Sequence, residues 1–367
     1  MPTWTTLPAM LCLMASTLSA APADTEPGAA PDSERAVLEQ GVAALSRGDI
    51  ADAERVMRRL VQIYASSVNT LSADERSRYV FALSLVATAQ QVQGRLEDAE
   101  AFLRCAVAAS EPESSDSAQS LTALAGVLMD RGRVDEAEAL ARRALEVWKG
   151  RGGELGPDAV PTLNTLAEVA VVRRDETGAE RWLDEADGIA ARPGGSTVVR
   201  AAVAARRGAL WLALGRYRDA EPWLEQGLRL AEEAVGPNHP STLLILRTLA
   251  DCYRARERPA AAVPLYERFL AVGETTYGPA HRLLLPGLAG LADAAERTGD
   301  VSRAEALLAR AAAIVVDQLD TQDPDRAGYL ALVEAFRVRR TGAGPRYVAA
   351  VPASPREAAS EKKNVAP

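Results

Sequence analysis

Residues 236–281 decide the fold, and they read GPNHPSTLLILRTLADCYRARERPAAAVPLYERFLAVGETTYGPAH. The stretch begins and ends with the same Gly-Pro-x-His tetrapeptide, at Gly236 and again 42 residues later at Gly278. Two apolar-periodic segments lie between the two copies, and Pro259 separates them. This pattern predicts one helical hairpin followed by the start of the next. Self-similarity at a fixed period of this size indicates a repeat array.

A second motif, Gly-x-apolar-x-x-Ala-Glu, recurs along the chain and marks the start of each second helix. Complete copies begin at five glycines: Gly48, Gly94, Gly132, Gly215 and Gly299. Degenerate copies begin at Arg174 and Glu257. The alanines of the seven copies are spaced by 46, 38, 42, 41, 42 and 42 residues: Ala53, Ala99, Ala137, Ala179, Ala220, Ala262 and Ala304. Random helical sequence does not keep such a spacing, so the motif predicts seven hairpins.

Each position of this motif has a physical reason. Glycine allows a positive φ at the turn that ends the first helix. Alanine lies where the two helices of a hairpin cross, since a larger side chain would separate them. A small residue stands twelve positions before each of these alanines: Gly41, Ala87, Ala125, Ala167, Gly208, Ala250 and Ala292. Arg174 and Glu257 replace the glycine, so the turns at these two positions are expected to differ locally.

The spacing of small and large residues resembles the tetratricopeptide repeat (TPR). The 42-residue period with Gly-Pro-x-His between repeats looks like the longer variant found in kinesin light chains. The resemblance covers roughly Glu34 to Asp317. It implies an all-α, right-handed superhelical solenoid of about seven TPR helical hairpins plus a C-terminal capping helix. Armadillo and HEAT repeats have similar periods but lack the Gly-x-apolar-x-x-Ala start of the second helix.

The ends of the chain differ from the repeats in composition. Residues 1–23 contain a short apolar core followed by small residues, which favours a signal peptide and a periplasmic or secreted protein. No Lys or Arg precedes that core, so a cytoplasmic protein is the alternative, and the segment is too short for a stable membrane span. Residues 24–33 are predicted to be a linker, 34–340 the solenoid and 341–367 a disordered tail.

The capping helix is predicted over residues 325–339. Its apolar face would cover the open edge of the last hairpin. Five residues are assigned to that face: Tyr329, Leu330, Leu332, Val333 and Phe336.

The sequence favours a protein without catalytic activity, metal or cofactor. A net charge of −8 without a basic run argues against nucleic-acid binding. His239 and His281 occupy equivalent loops one repeat apart, too far to share a metal, so they are expected to bond helix-terminal backbone. Cys105 and Cys252 lie in different repeats and are interpreted as buried small apolar residues.

The remaining candidate is the inner surface formed by the first helices, where the resemblance places a protein or peptide ligand. Inward positions in the early repeats are Gln91, Met129 and Asp130. Candidates in the middle and late repeats are Asn164, Glu168, Arg206, Arg247, Asp251, Arg254, Asp293, Glu296 and Arg297. Arginine suits bidentate capture of a carboxylate, which favours an acidic or carboxylate-terminated peptide. Arg206, Arg247 and Arg254 are expected to act together on it.

Three alternatives remain open at this stage. The inner surface is a merely solvated helix face in the simplest of them. A second alternative is a cell-envelope protein that binds a small molecule or a saccharide, or an enzyme with an unusual site. The third is a structural, self-assembling array, which exposed apolar patches on the end helices would favour.

Overall fold

The computed structural model describes residues 34–46, 50–319 and 323–341. These ranges contain fifteen α-helices and no strand, which confirms the all-α prediction. The helices, in chain order from α1 to α15, are Glu34–Ser46, Ile50–Ala65, Ala73–Val92, Leu96–Ala109, Ser115–Asp130, Val134–Gly150, Val160–Val172, Glu176–Ala190, Thr197–Ala213, Tyr217–Val235, Leu243–Ala255, Pro259–Tyr277, Leu285–Arg297, Val301–Gln318 and Pro324–Thr341.

Small residues are buried where the sequence predicts close helix contacts. All seven motif alanines, from Ala53 to Ala304, have no exposed surface. The small residues twelve positions earlier are buried as well. At Gly41, an added Cβ would lie 1.9 Å from the Met57 side chain. The predicted hairpin spacing is therefore confirmed, because every crossing position lies in the core.

The turn between the two helices of a hairpin has the same form along the chain. The glycines at Gly94, Gly132, Gly215 and Gly299 adopt φ values between 74° and 91°. Arg174 and Glu257 adopt the same left-handed conformation, with φ of 61° and 56°. The expectation that these two turns differ is therefore wrong. The paired backbone hydrogen bonds that close the first helix require this conformation whichever residue stands there. Gly48 lies outside the described residues.

The described residues form two compact units. The first unit comprises residues 34–216 and 226–237, and the second comprises residues 217–225 and 238–341, so α10 contributes to both. Within the first unit, α9 packs closely on the second half of α10, since a Cβ at Gly227 would lie 2.9 Å from the Ala205 backbone nitrogen. Consecutive first helices contact each other from α3 to α9 in the first unit, and α11 contacts α13 in the second.

A ladder of ion pairs joins consecutive hairpins on their turn side. The glutamate that follows the crossing alanine accepts a hydrogen bond from an arginine of the next turn. The pairs are Arg95–Glu54 at 2.7 Å, Arg133–Glu100 at 2.8 Å, Arg216–Glu180 at 2.9 Å and Arg258–Glu221 at 2.8 Å. The motif glutamate therefore contributes to stacking between repeats, a role that its position within one hairpin does not indicate.

The two histidines act as the sequence predicts. Each begins a short 3₁₀ helix, and its Nδ1 accepts a hydrogen bond from a backbone N–H two residues on, at 3.2 Å in both loops. The donors are Ser241 and Leu283. Burial lowers the pKa of both rings, and Arg282 lowers that of His281 further. The neutral ring is thus the form that caps each helix.

The C-terminal helix α15 covers the last hairpin. Val333 and Phe336 join a core cluster with Leu308 and with Ala292 of α13, and Leu332 packs against this cluster. Leu330 is 37% exposed, so its assignment to the apolar face is wrong. Leu330 lies about 60° around the helix from Val333 and about 120° from Phe336, which places it at the exposed edge of the packed face.

The predicted leader, linker and nearly all of the predicted tail, residues 1–33 and 342–367, lie outside the described residues. Among the helices that are described, none combines the length and the apolar character needed to cross a bilayer.

Candidate functional site

Asp251 of α11 is the centre of a charged network on the first helices of the second unit. Its two oxygens bind different partners. Arg247 Nη1 donates to Oδ2 at 2.9 Å, and the Tyr266 hydroxyl donates to Oδ1 at 2.5 Å. Arg254 Nη2 lies 3.7 Å from Oδ1, and its Nε donates to the Tyr266 hydroxyl at 3.3 Å. The carboxylate thus pairs with one arginine a turn before it and another a turn after it on one helix face.

The network continues to the next first helix through Asp293 of α13. Asp293 stands one 42-residue period after Asp251. Its Oδ2 lies 3.6 Å from Arg254 Nη1 and 3.1 Å from Arg297 Nε. Arg254 therefore bridges two helices. We call Arg247, Asp251, Arg254, Asp293 and Arg297 the arginine–aspartate network.

A buried tyrosine on the second helix of the same hairpin hydrogen-bonds to this network. Tyr266 lies on α12, and a Cβ at Gly290 would approach its ring to 2.4 Å, so the glycine leaves room for the ring. Burial, and then the charge of Asp251, raise the pKa of Tyr266. Sequence reasoning missed this residue. The signal was present, because Tyr266 stands four residues after a crossing alanine, a position that is leucine in Leu103, Leu183, Leu224 and Leu308.

The capping helix reaches the same region. Tyr329 of α15 is close enough for Arg247 and Asp251 to act on its hydroxyl, although burial is the main reason that its pKa is raised. Arg339 of α15 binds Glu296 at 2.8 Å. Glu296 was predicted to be an inward groove residue, and the structure pairs it with the capping helix.

The middle repeats contain a second polar group, in the first unit. Glu168 of α7 accepts a hydrogen bond from Arg206 Nη2 of α9 at 3.0 Å, and both side chains are buried. Asn164 lies four residues before Glu168 on the same helix face. We call Asn164, Glu168 and Arg206 the Glu168 cluster. Burial raises the pKa of Glu168, Arg206 opposes the rise, and Asp130 of α5 adds to it.

The residues predicted to face inward in the early repeats are partly buried. Gln91 Nε2 donates to Asp130 Oδ2 at 2.6 Å, and the Met129 side chain is buried. The structure thus places the candidates of the middle and late repeats, apart from Glu296, in two separate groups. Arg206 is paired with Glu168, whereas Arg247 and Arg254 share Asp251, so each arginine already has a carboxylate partner within the chain.

The other candidates for chemistry have local structural roles. In the part of the chain that the structure describes, no group of His, Cys, Asp and Glu side chains is arranged to hold a metal ion. Cys252 is buried as predicted, and burial raises its pKa to about 11. Cys105 is exposed on α4, so its assignment as a buried residue is wrong. It follows the buried Leu103 by two positions, which turns it away from the helix face that packs.

Two sequence profiles match the chain. The MalT-like TPR region matches residues 30–228, and a tetratricopeptide repeat matches residues 200–275. No curated protein sequence gives a significant match.

Several solved structures are similar to the chain at low sequence identity. The Rap protein complexed with Competence and Sporulation Factor has 15% identity and a TM-score of 0.52, with coverage of 91% of this chain and 93% of that chain. The apo form of the quorum sensor NprR from B. thuringiensis has 13% identity and a TM-score of 0.53, with coverage of 84% and 86%. A Podosopora anserina putative kinesin light chain with TPR-like repeats has 21% identity, coverage of 67% and 99%, and a TM-score of 0.32.

Proposed function

The chain belongs to the MalT-like family of tetratricopeptide repeat proteins, and on this premise we propose that it is a non-catalytic scaffold that binds a peptide segment of another protein. A Rap protein of similar fold has been crystallised with a second molecule, Competence and Sporulation Factor, which agrees with a binding role for such an array. The arginine–aspartate network is the surface that we assign to the ligand.

One observation carries this proposal: the charged side chains of α11 and α13 are held in place before any ligand arrives. Tyr266 and Arg247 hydrogen-bond to Asp251, and Asp293 forms ion pairs with Arg254 and Arg297. Side chains that are already ordered lose less conformational entropy when they bind a ligand. A merely solvated helix face does not require a buried tyrosine beneath it.

The network favours a ligand that carries a carboxylate. It contains three arginines and two aspartates, so one positive charge is left uncompensated within it. Arg247 and Arg297 remain 25% and 39% exposed. A guanidinium has five N–H donors, and each of these two arginines has an in-chain hydrogen bond or ion-pair contact on a single nitrogen, which leaves donors for a ligand. A peptide C-terminus or an acidic side chain is the group that such donors recognise.

The test is a selection from random peptides synthesised with free C-termini. Dissociation constants of the selected peptides are then measured by calorimetry against the wild type and against Arg247→Gln with Arg297→Gln. We expect the double variant to bind about tenfold more weakly, because a hydrogen bond to a charged group contributes about 1.5–3 kcal/mol. Amidation of the peptide C-terminus should weaken binding to the wild type and have little further effect in the double variant.

Arg143→Gln is the matched control, since Arg143 is exposed on the second helix α6. Arg254 is avoided because its side chain is only 13% exposed and its loss would disturb Asp251, Asp293 and Tyr266 together. Equal weakening by the control and by the double variant would place the ligand elsewhere. Failure to select any peptide would contradict the proposed function itself.

A further inference from the structure

The Glu168 cluster contains more acceptors than its neighbours satisfy. Asn164 and Glu168 are each 9% exposed and lie one turn apart on α7. Asn164 Oδ1 is buried and has no hydrogen-bond partner. Buried polar atoms nearly always have a partner, and leaving one without costs about 1–3 kcal/mol. The exception at Asn164 therefore calls for a physical explanation.

The neighbouring carboxylate is also incompletely satisfied. Arg206 donates to Oε2 of Glu168, and this is the single hydrogen bond that the described residues give to the group. Oε1 is left to accept from another donor. Glu168 and Asn164 thus offer two oxygen acceptors, four residues apart, on the same side of one helix.

The electrostatic environment of Glu168 favours a second positive charge beside its carboxylate. Arg206 supplies one cation, yet the pKa of Glu168 is still raised, because burial outweighs the attraction of Arg206 and Asp130 adds to the effect. A second cation beside Oε1 would offset the cost of keeping Glu168 ionised in a buried position. A neutral ligand would not stabilise the ionised form of Glu168.

We propose that Asn164 and Glu168 form, within the first unit, a subsite for a primary ammonium group of a bound peptide, and that Asn164 Oδ1 and Glu168 Oε1 accept hydrogen bonds from this group. An ammonium is compact and carries three donors, so it can serve two acceptors at once, whereas a planar guanidinium needs more room. The group is either a lysine side chain or a peptide N-terminus. This inference rests on the proposed function, because it takes the ligand to be a peptide.

The experiment uses the full chain and the peptides selected from the random library. Each peptide is prepared unmodified, with its lysines acetylated, and with its N-terminus acetylated. Affinity for each form is measured on the wild type, Glu168→Gln and Asn164→Leu. We expect one of the two acetylations to weaken binding to the wild type by about tenfold. The acetylation that has this effect identifies the source of the ammonium.

The same acetylation should have little further effect on binding to Glu168→Gln. Asn164→Leu should lose part of the preference for the unmodified peptide over the acetylated one, while the Arg206–Glu168 pair is kept. Glu146→Gln, an exposed change on α6, is the control and should retain the full preference. Circular dichroism confirms that each variant is folded. Peptides that bind the wild type equally well in all three forms would overturn the subsite and leave the proposed function standing. A library that yields no binding peptide would overturn both.

Discussion

At the scale of single residues, Arg174 and Glu257 hold a backbone conformation that favours glycine. Their φ values of 61° and 56° lie in the left-handed region. A non-glycine residue there costs about 1–2 kcal/mol, because its Cβ approaches the carbonyl oxygen. Glycine occupies the same turn position in the complete copies of the motif, so substitution by glycine is expected to relieve the backbone strain at Arg174 and Glu257.

We expect Arg174→Gly and Glu257→Gly each to stabilise the chain by up to about 1 kcal/mol. The relief of strain exceeds the extra chain entropy that glycine brings to the unfolded state, which is about 0.5–1 kcal/mol. Urea denaturation followed by circular dichroism measures the change. Gly132→Ala, at a φ of 74°, is the reciprocal control and should destabilise. A lower midpoint for both glycine variants would show that the turns are not strained.

The two capping histidines make stability depend on pH. Their pKa values are lowered in the folded chain, so the unfolded chain takes up protons first as the pH falls below about 6.5. Stability contributed by the neutral rings is therefore complete above that pH and declines below it, until the folded rings are also protonated. Stability falls at lower pH because the Nδ1 atoms accept hydrogen bonds in the folded chain and cannot do so once they are protonated.

Thermal unfolding measured at about pH 7.5 and about pH 5.5 should show this decline. The double variant His239→Asn with His281→Asn should lose less stability than the wild type over the same interval. Asparagine can still accept the backbone hydrogen bond but does not titrate. An identical decline in the two proteins would assign the pH dependence to the carboxylates.

At the scale of an element, the capping helix α15 is attached by a few apolar side chains. Phe336 is 3% exposed and lies in a cluster with Leu308 of α14. Arg339 adds the ion pair with Glu296. Because Tyr329 of the same helix lies near Arg247, detachment of α15 would also expose one side of the arginine–aspartate network.

We expect Phe336→Ala to destabilise the second unit by about 3–5 kcal/mol through the cavity that it leaves. Hydrogen exchange in α15 and α14 should accelerate first, since these helices lose the contact. Leu330→Ala on the same helix is the control and should change little, because Leu330 is 37% exposed. Equal acceleration of exchange by both variants would mean that the packing of α15 has been assigned to the wrong face.

At the scale of the whole molecule, the crossing alanines predict that every hairpin obeys one packing rule. Ala99 and Ala304 have no exposed surface although they belong to different units. In a repeat array each hairpin contacts its neighbours, so distant sites should act independently.

Ala99→Leu and Ala304→Leu should each destabilise by about 1–3 kcal/mol through overpacking, and their effects should add in the double variant. Matched controls lie two residues further along the same helices, at Ala101→Leu and Ala306→Leu, where the side chains are exposed. Chemical denaturation of the six proteins, the wild type included, provides the comparison. Crossing and control variants of equal stability would contradict the assigned spacing.

The sequence alone was enough for the helical hairpins, their spacing, their crossing points and the capping roles of His239 and His281. These features are local and repeated, so each copy of the motif supports the same interpretation. Periodicity also predicted a set of inward positions, but it could not say which of these residues contact each other. That depends on side-chain reach between helices far apart in sequence, as in the pairing of Arg206 with Glu168 and of Tyr266 with Asp251.

Only the tertiary structure decided three further points. It placed Cys105 and Leu330 on exposed faces, although the apolar side chains of both residues had suggested burial. It kept the turns at Arg174 and Glu257 in the left-handed conformation, because the backbone hydrogen bonds of the helix end outweigh the local preference of the residue. It also gave each arginine a carboxylate from a neighbouring turn or helix, because charges brought together in a partly buried place are stabilised by pairing.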